Sequence, residues 1–111
     1  MDKIIFLVQG SSPEPYEVTF IKRDDNNLSA YCTCPAGQHG IYCKHRFRIL
    51  DGIDKGIVSN NKEDISKVLS WLSGSDVEIA LKELKVAQEN YDQAKKALAV
   101  AKKFVASSFL D

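Results

Sequence analysis

Glycine and proline are missing from the last third of this chain: neither occurs from Ser75 to Leu110. Both residues are the usual punctuation between elements, so their absence excludes a series of short elements there. Long apolar runs are also missing. The first ten residues hold one, Ile4-Ile5-Phe6-Leu7-Val8, which is far too short for a membrane span. Gln9-Gly10-Ser11-Ser12-Pro13 follows it as a turn rather than as a cleavage site. Charge of one sign is not in excess, with fifteen Lys plus Arg against fifteen Asp plus Glu. A dedicated nucleic-acid binder is usually basic over its binding domain, so this balance argues against one, though a local patch is compatible with it. There is no nucleophile–base pair, no phosphate-binding glycine loop and no pair of carboxylates in a plausible site. The expectation is that the chain is not an enzyme. Cysteine is scarce and odd in number, three in 111 residues, which with no secretory signal argues against a disulfide framework. Thiols kept reduced fit the cytosol, and the expected location is cytoplasmic.

What is present is concentrated. Cys32-Thr33-Cys34, eight residues, then Cys43-Lys44-His45 bring every cysteine and one of two histidines into fourteen positions. Three thiols and an imidazole complete a tetrahedral Cys₃His set for one Zn²⁺. Cysteines as small core residues, or CxC as a redox dithiol, are the other readings. Residues i and i+2 of a strand share a face with Cβ atoms roughly 6–7 Å apart. Two sulfurs on one zinc sit only about 3.8 Å apart, so a small curl is needed at Thr33 before Pro35 ends the strand. The second pair cannot lie within one regular helix, because i and i+2 there are about 200° apart. Cys43 therefore falls just before a helix and His45 in its first turn. His39, in Gly37-Gln38-His39-Gly40, is the competing imidazole and reads as a loop residue. Four protein ligands leave no open position for water, so the centre reads as structural.

The string YCTCPAGQHGIYCKHRFRIL resembles the SWIM-type zinc finger, C-x-C, a variable spacer, then C-x-H. Cys32, Cys34, Cys43 and His45 occupy that family's four ligand positions over a resemblance spanning roughly residues 16–52. It implies a strand–strand–helix finger, zinc as a structural metal, and a role in binding protein or nucleic acid.

The rest of the chain frames this centre. Ile4–Val8 suits a buried strand. Tyr16–Lys22 alternates Tyr16, Val18 and Phe20 with Glu17 and Thr19, as a half-buried strand does. Asp24-Asp25-Asn26-Asn27 is a turn cluster, with Asn available for a left-handed position. Leu28–Cys32 returns as the third antiparallel strand and delivers the first ligand. The helix after Cys43 should run to about Asp51, with Gly52 as its stop and Phe47 and Leu50 packed on the sheet. Asp51–Asn61 reads as a linker. In 62–72, Ile65, Val68, Leu69 and Leu72 recur at helical spacing, with Trp71 beside them at a core edge or an interface. Ser75-Asp76-Val77-Glu78 is a capping box opening a helix over about 76–110. The expected class is α+β, with a small antiparallel sheet and finger in 1–58 and a helical region in 59–111, together forming one compact unit.

The long helix carries a seven-residue repeat. With Val77 as position a, Leu84, Tyr91, Leu98 and Val105 follow at a, and Ala80, Ala87, Ala94, Ala101 and Ser108 fall at d. Large at every a and small at every d forms a seam for a left-handed helix pair, a coiled coil. A helix of roughly 50 Å is longer than a domain of this size covers alone. It is expected to pair, most simply with its own copy in an antiparallel homodimer, or with a partner protein's helix. The lysines at its C-terminal end, Lys95, Lys96, Lys102 and Lys103, read as a solvated face that complements the helix dipole. For function, the reading is a protein-interaction or adaptor module built on structural zinc. The alternative is a DNA-binding adaptor using Lys44, Arg46 and Arg48, with Tyr31 and Tyr42 nearby, in which case those cations do more than offset the charge of three thiolates on zinc.

Overall fold

A computed structural model describes residues 2–110. Three strands, β1 (Asp2–Val8), β2 (Tyr16–Asp24) and β3 (Asn27–Cys32), form one antiparallel sheet in the order β1-β2-β3. Its register sets Phe6 opposite Val18 and Val18 opposite Cys32. Side chains alternate across a pleated sheet, so this register gathers Ile4, Phe6, Val8, Val18, Phe20, Leu28 and Cys32 on one buried face. Phe6, Val18 and Phe20 are fully buried, each adding about 1.5–3 kcal/mol relative to exposure. Phe6 and Phe20 meet edge to face at 6.0 Å. The opposite face carries Ile5, Thr19 and Tyr31 in one row. There the Arg23 guanidinium donates to Ser29 Oγ and to Tyr31 Oη.

The β2–β3 turn forms without the left-handed asparagine expected. Among the described residues no non-glycine residue has a positive φ. The Asp24 carboxylate instead accepts from the Asn26 N–H and the Asn27 side-chain amide, and the register slips between Lys22 and Asp24. This is the local side-chain-to-backbone bonding that makes Asp a turn residue.

Both sheet edges are covered over part of their length, which blunts the template an open edge offers to other chains. Val58 N–H donates to Leu7 O, Gln9 N–H to Gly56 O, and Val8 bridges to Ile57. Residues 56–59, expected as linker, thus lie along β1 through one isolated bridge, and Ile57 is buried. On β3, the Leu28 N–H donates to the Asp76 carboxylate and Ala30 O accepts from Arg46.

A single helical turn, α1 (Pro35–Gln38), follows β3, and α2 (Lys44–Leu50) follows the second ligand pair. The turn was not expected from the sequence. Pro35 stands at its first position and Cys34 caps it, the arrangement that helix starts favour. In α2 the buried residues are His45, Ile49 and Leu50, while Phe47 is half-buried and stacks on Tyr42 at 4.3 Å rather than entering the sheet core. After a 3₁₀ turn (Lys62–Asp64), α3 (Ile65–Leu72) buries Ile65, Val68 and Trp71. Trp71 is therefore core, and Leu69 and Leu72 are half-buried.

Ser75 caps α4 (Asp76–Ser108), its hydroxyl accepting from the Glu78 N–H while the Glu78 carboxylate accepts from Gly74 N–H. Asp76 N–H also donates to Asn26 O, so the first turn of α4 is pinned to the β2–β3 hairpin. The chain divides into one compact unit that ends at Glu78 and a second that begins at Ile79. None of the 33 residues of α4 is buried. No helix is long and apolar enough to cross a membrane, among the described residues.

Candidate metal centre

Four side chains converge beneath the end of β3. The Sγ atoms of Cys32, Cys34 and Cys43 and a ring nitrogen of His45 all lie within 4.8 Å of one another, and all four residues are buried. Cys34 Sγ and Cys43 Sγ are 3.4 Å apart, and His45 Nδ1 stands 3.6 Å from Cys43 Sγ and 3.8 Å from Cys32 Sγ. A tetrahedral zinc with bonds of about 2.0–2.3 Å needs ligand separations of roughly 3.5–3.8 Å. The donor set and its spacing fit one structural Zn²⁺. The nitrogen turned toward the sulfurs is Nδ1. His39 is exposed at the C-terminal cap of α1 and is not among the four.

Each ligand owes its place to local backbone. Cys32 and Cys34 straddle Thr33, whose N–H donates to Glu17 O and whose hydroxyl accepts from Glu17 N–H. β2 thereby holds the curl that brings two thiols together. The Cys34 N–H then donates toward Cys32 Sγ at 3.5 Å and the Gly37 N–H toward Cys34 Sγ at 3.3 Å. Cys43 is the N-cap of α2, and His45 is that helix's second residue.

Two glycines let the chain close on this centre, and neither was singled out from sequence. A Cβ on Gly37 would lie 2.4 Å from Cys32 O and 2.8 Å from Cys32 Cβ. A Cβ on Gly10 would lie 2.6 Å from the Tyr16 ring and 3.2 Å from His45 Nε2. Tyr16 packs its ring on His45 at 5.1 Å, walling the far side of the imidazole. The available signal for Gly37 was its place three residues after Cys34. Only the folded chain reveals that it marks close approach rather than a flexible loop.

The electrostatics favour a metal. Burial, with the neighbouring thiols adding to it, pushes Cys32 up to about 12. Burial acts in the same direction on Cys43, but the Arg46 N–H donating to its sulfur and the adjacent thiols outweigh it, leaving that thiol below its ordinary range. Burial, then the charges of Lys44 and Arg48, lower His45, keeping the imidazole neutral as a ligand must be. Three buried thiols cannot all ionise without a cation, and a bound Zn²⁺ supplies it, leaving a net charge of about −1.

The three cations of the finger helix have separate fates. Arg46 is half-buried and forks between Ala30 O (3.2 Å) and Ile41 O (2.7 Å), tying β3 to the segment between the ligand pairs. Lys44 and Arg48 are exposed. Tyr31 stands on the outer sheet face with Arg23, whereas Tyr42 lies on the finger against Phe47. A shallow depression of ≈ 360 Å³ opens beside the ligands, walled by Tyr16, Pro35, Ala36, Tyr42 and Lys44. Tyr42, which lines it, and Ile41, its neighbour in the chain, are 64% and 60% exposed, an apolar pair at the surface.

The seam residues of α4, Val77, Ala80, Leu84, Ala87, Tyr91, Ala94, Leu98, Ala101 and Val105, lie on one continuous helix.

Comparison with curated proteins and with solved structures gives no match. The SWIM zinc finger family model matches residues 6–50. That match begins in β1, ten residues before the resemblance read from the ligand string, and so takes in the buried Phe6 and Val8. It ends with α2, so it contains all four ligands and every element that positions them. The segment from Phe6 to Leu50 is thus similar to the SWIM zinc finger, and within it Cys32, Cys34, Cys43 and His45 are grouped as one zinc-binding set.

Proposed function

We propose that this chain is an interaction module in which structural zinc folds the finger and α4 pairs with a second copy of the chain. The observation that carries this reading is the bareness of α4. It buries none of its residues, and apart from the half-buried Val77 and Leu81 its large apolar side chains are exposed, from 44% at Leu84 to 74% at Phe104. Isolated helices are marginal in water and draw most of their stability from packing an apolar face. The a/d repeat supplies such a face. Four protein ligands fill the zinc's coordination, so the metal acts in folding rather than in catalysis. The free thiols that hold it suit a reducing compartment, the cytoplasm.

Ile41 and Tyr42 form a second, smaller surface on the finger, suited to an apolar protein segment. Nucleic acid is the competing ligand there, and with Arg46 engaged on two backbone carbonyls its phosphate contacts would fall to Lys44 and Arg48. Sedimentation of the zinc-loaded protein tests the self-pairing, with a dimer mass expected at micromolar concentration. A strictly monomeric mass at high concentration rejects it. Titration with duplex and single strands at low salt tests the alternative. Binding that weakens steeply as salt rises, and disappears on reversing Lys44 and Arg48, would establish phosphate contacts instead.

A further inference from the structure

We infer that the α4 pair is antiparallel and in full-length register, with the large residues of one copy seated on the alanines of the other; this rests on the self-pairing proposed above. Two features of the helix point the same way. The first is size. In a parallel pair like positions meet, so the a layers would stack Leu84, Tyr91 and Leu98 on themselves and the d layers would stack alanine on alanine. Wide and empty layers would alternate along helices whose axes keep one separation. Reversing one copy interchanges the three- and four-residue steps of the repeat, so each a position meets a d position. Leu84 then faces Ala101, Tyr91 faces Ala94, Leu98 faces Ala87 and Val105 faces Ala80, all in one register. Every such layer holds one large and one small side chain, which is what close packing at constant spacing requires.

The second feature is charge. From Asp76 to Asp92 the helix has five acids and two lysines, net −3, and from Gln93 to Ser108 four lysines and no acid, net +4. The size-matched register overlaps the helix almost end to end and lays each acidic half along the basic half of the other copy. Antiparallel helix dipoles add to this attraction. A parallel pair would lay like charge on like over its whole length. A second apolar stripe, Ile79, Val86, Val100 and Phe104, is interrupted by Gln93 and runs beside Glu83 and Asn90. The a/d seam has no such break between Val77 and Val105, which is why the pairing is assigned to it.

The test exchanges the two members of one layer. Leu84→Ala, Ala101→Leu and the double variant are compared with wild type by sedimentation equilibrium of the zinc-loaded protein, with helical circular dichroism as the control for folding. In the antiparallel register Leu84→Ala leaves two alanines facing and Ala101→Leu forces two leucines together. Each single change should weaken the dimer about tenfold or more. The double variant restores one large and one small residue and should return to within about threefold of wild type, a strong departure from additivity. In a parallel pair Ala101→Leu would add apolar contact at a d layer and tighten the dimer, and the two effects would add. Tightening by Ala101→Leu, additive effects, or a dimer indifferent to all three variants would overturn the register while leaving self-pairing in place. A wild-type monomer would overturn the pairing itself.

Discussion

Gly37 shows how much one missing methyl group can decide. Its backbone has no positive φ, so it is not needed for conformational freedom. It is needed because the first turn after Cys34 packs directly on Cys32, with no room for a Cβ within 2.4 Å of Cys32 O. Its N–H also donates to Cys34 Sγ. Gly37→Ala must push α1 away from β3, which would spread the two thiols and turn that N–H aside. Groups that orient metal ligands typically cost 10–100-fold in affinity when lost, and a loss of about that size is expected here. Competition with a chromophoric zinc chelator would measure it. His39→Ala serves as the control, since the exposed His39 lies outside the cluster and its removal should leave zinc affinity unchanged. If His39→Ala releases zinc, or Gly37→Ala binds it as tightly as wild type, the centre is built differently.

At the scale of elements, Arg46 ties β3 to the segment between the two ligand pairs. One arm of its guanidinium holds a carbonyl of β3 and the other a carbonyl of the inter-ligand segment. A planar fork reaches two acceptors at once, and an ammonium on a flexible stem does so poorly. Arg46→Ala and Arg46→Lys should therefore both lower the melting temperature of the zinc-loaded protein. The cost is about 1–2 kcal/mol, chiefly from the part-buried Ala30 carbonyl left without its donor. A merely solvated cation would tolerate lysine without loss, so an unchanged melting temperature for Arg46→Lys would refute the clamp. Arg46 also marks where sequence reasoning stops. The ligand string, the alternation of Tyr16, Val18 and Phe20, and the unbroken run after Ser75 are local patterns, and they sufficed for the sheet, the finger and α4. Whether an arginine beside a metal faces solvent or folds back depends on carbonyls 16 and 5 residues away, which no local pattern encodes. The same holds for residues 56–59, whose pairing with β1 joins segments some fifty residues apart. It holds for Trp71 too, whose burial depends on which neighbours fold over α3.

At the scale of the whole molecule, metal and helix pairing should fail separately. Zinc contributes on the order of 10–16 kcal/mol to small fingers, against roughly 5–15 kcal/mol for the stability of a typical domain. Removing it leaves three buried thiols and a neutral imidazole with no common partner, so the unit ending at Glu78 should lose its fold. The a/d seam uses no metal ligand, and the 33 residues of α4 outnumber the 19 of α1, α2 and α3 (4, 8 and 7 for α1, α3 and α2). Chelation should therefore erase the dispersed amide signals of residues 30–50 while more than half of the helical circular dichroism and the dimer mass persist. Acid should act as a slower chelator, because ligands must shed protons to bind zinc. His45 is lowered by burial and by Lys44 and Arg48, so it stays neutral below the ordinary imidazole value of about 6.5. A base depressed in the folded state adds stability that is fully present above its unfolded pKa and is lost as pH falls through the folded one. Zinc should accordingly be retained through about pH 6.5 and released further down, with the finger's amide dispersion disappearing in step. If chelation instead converts the dimer to monomers while α4 remains helical, the copies meet through the finger, and the seam on α4 is not what joins them.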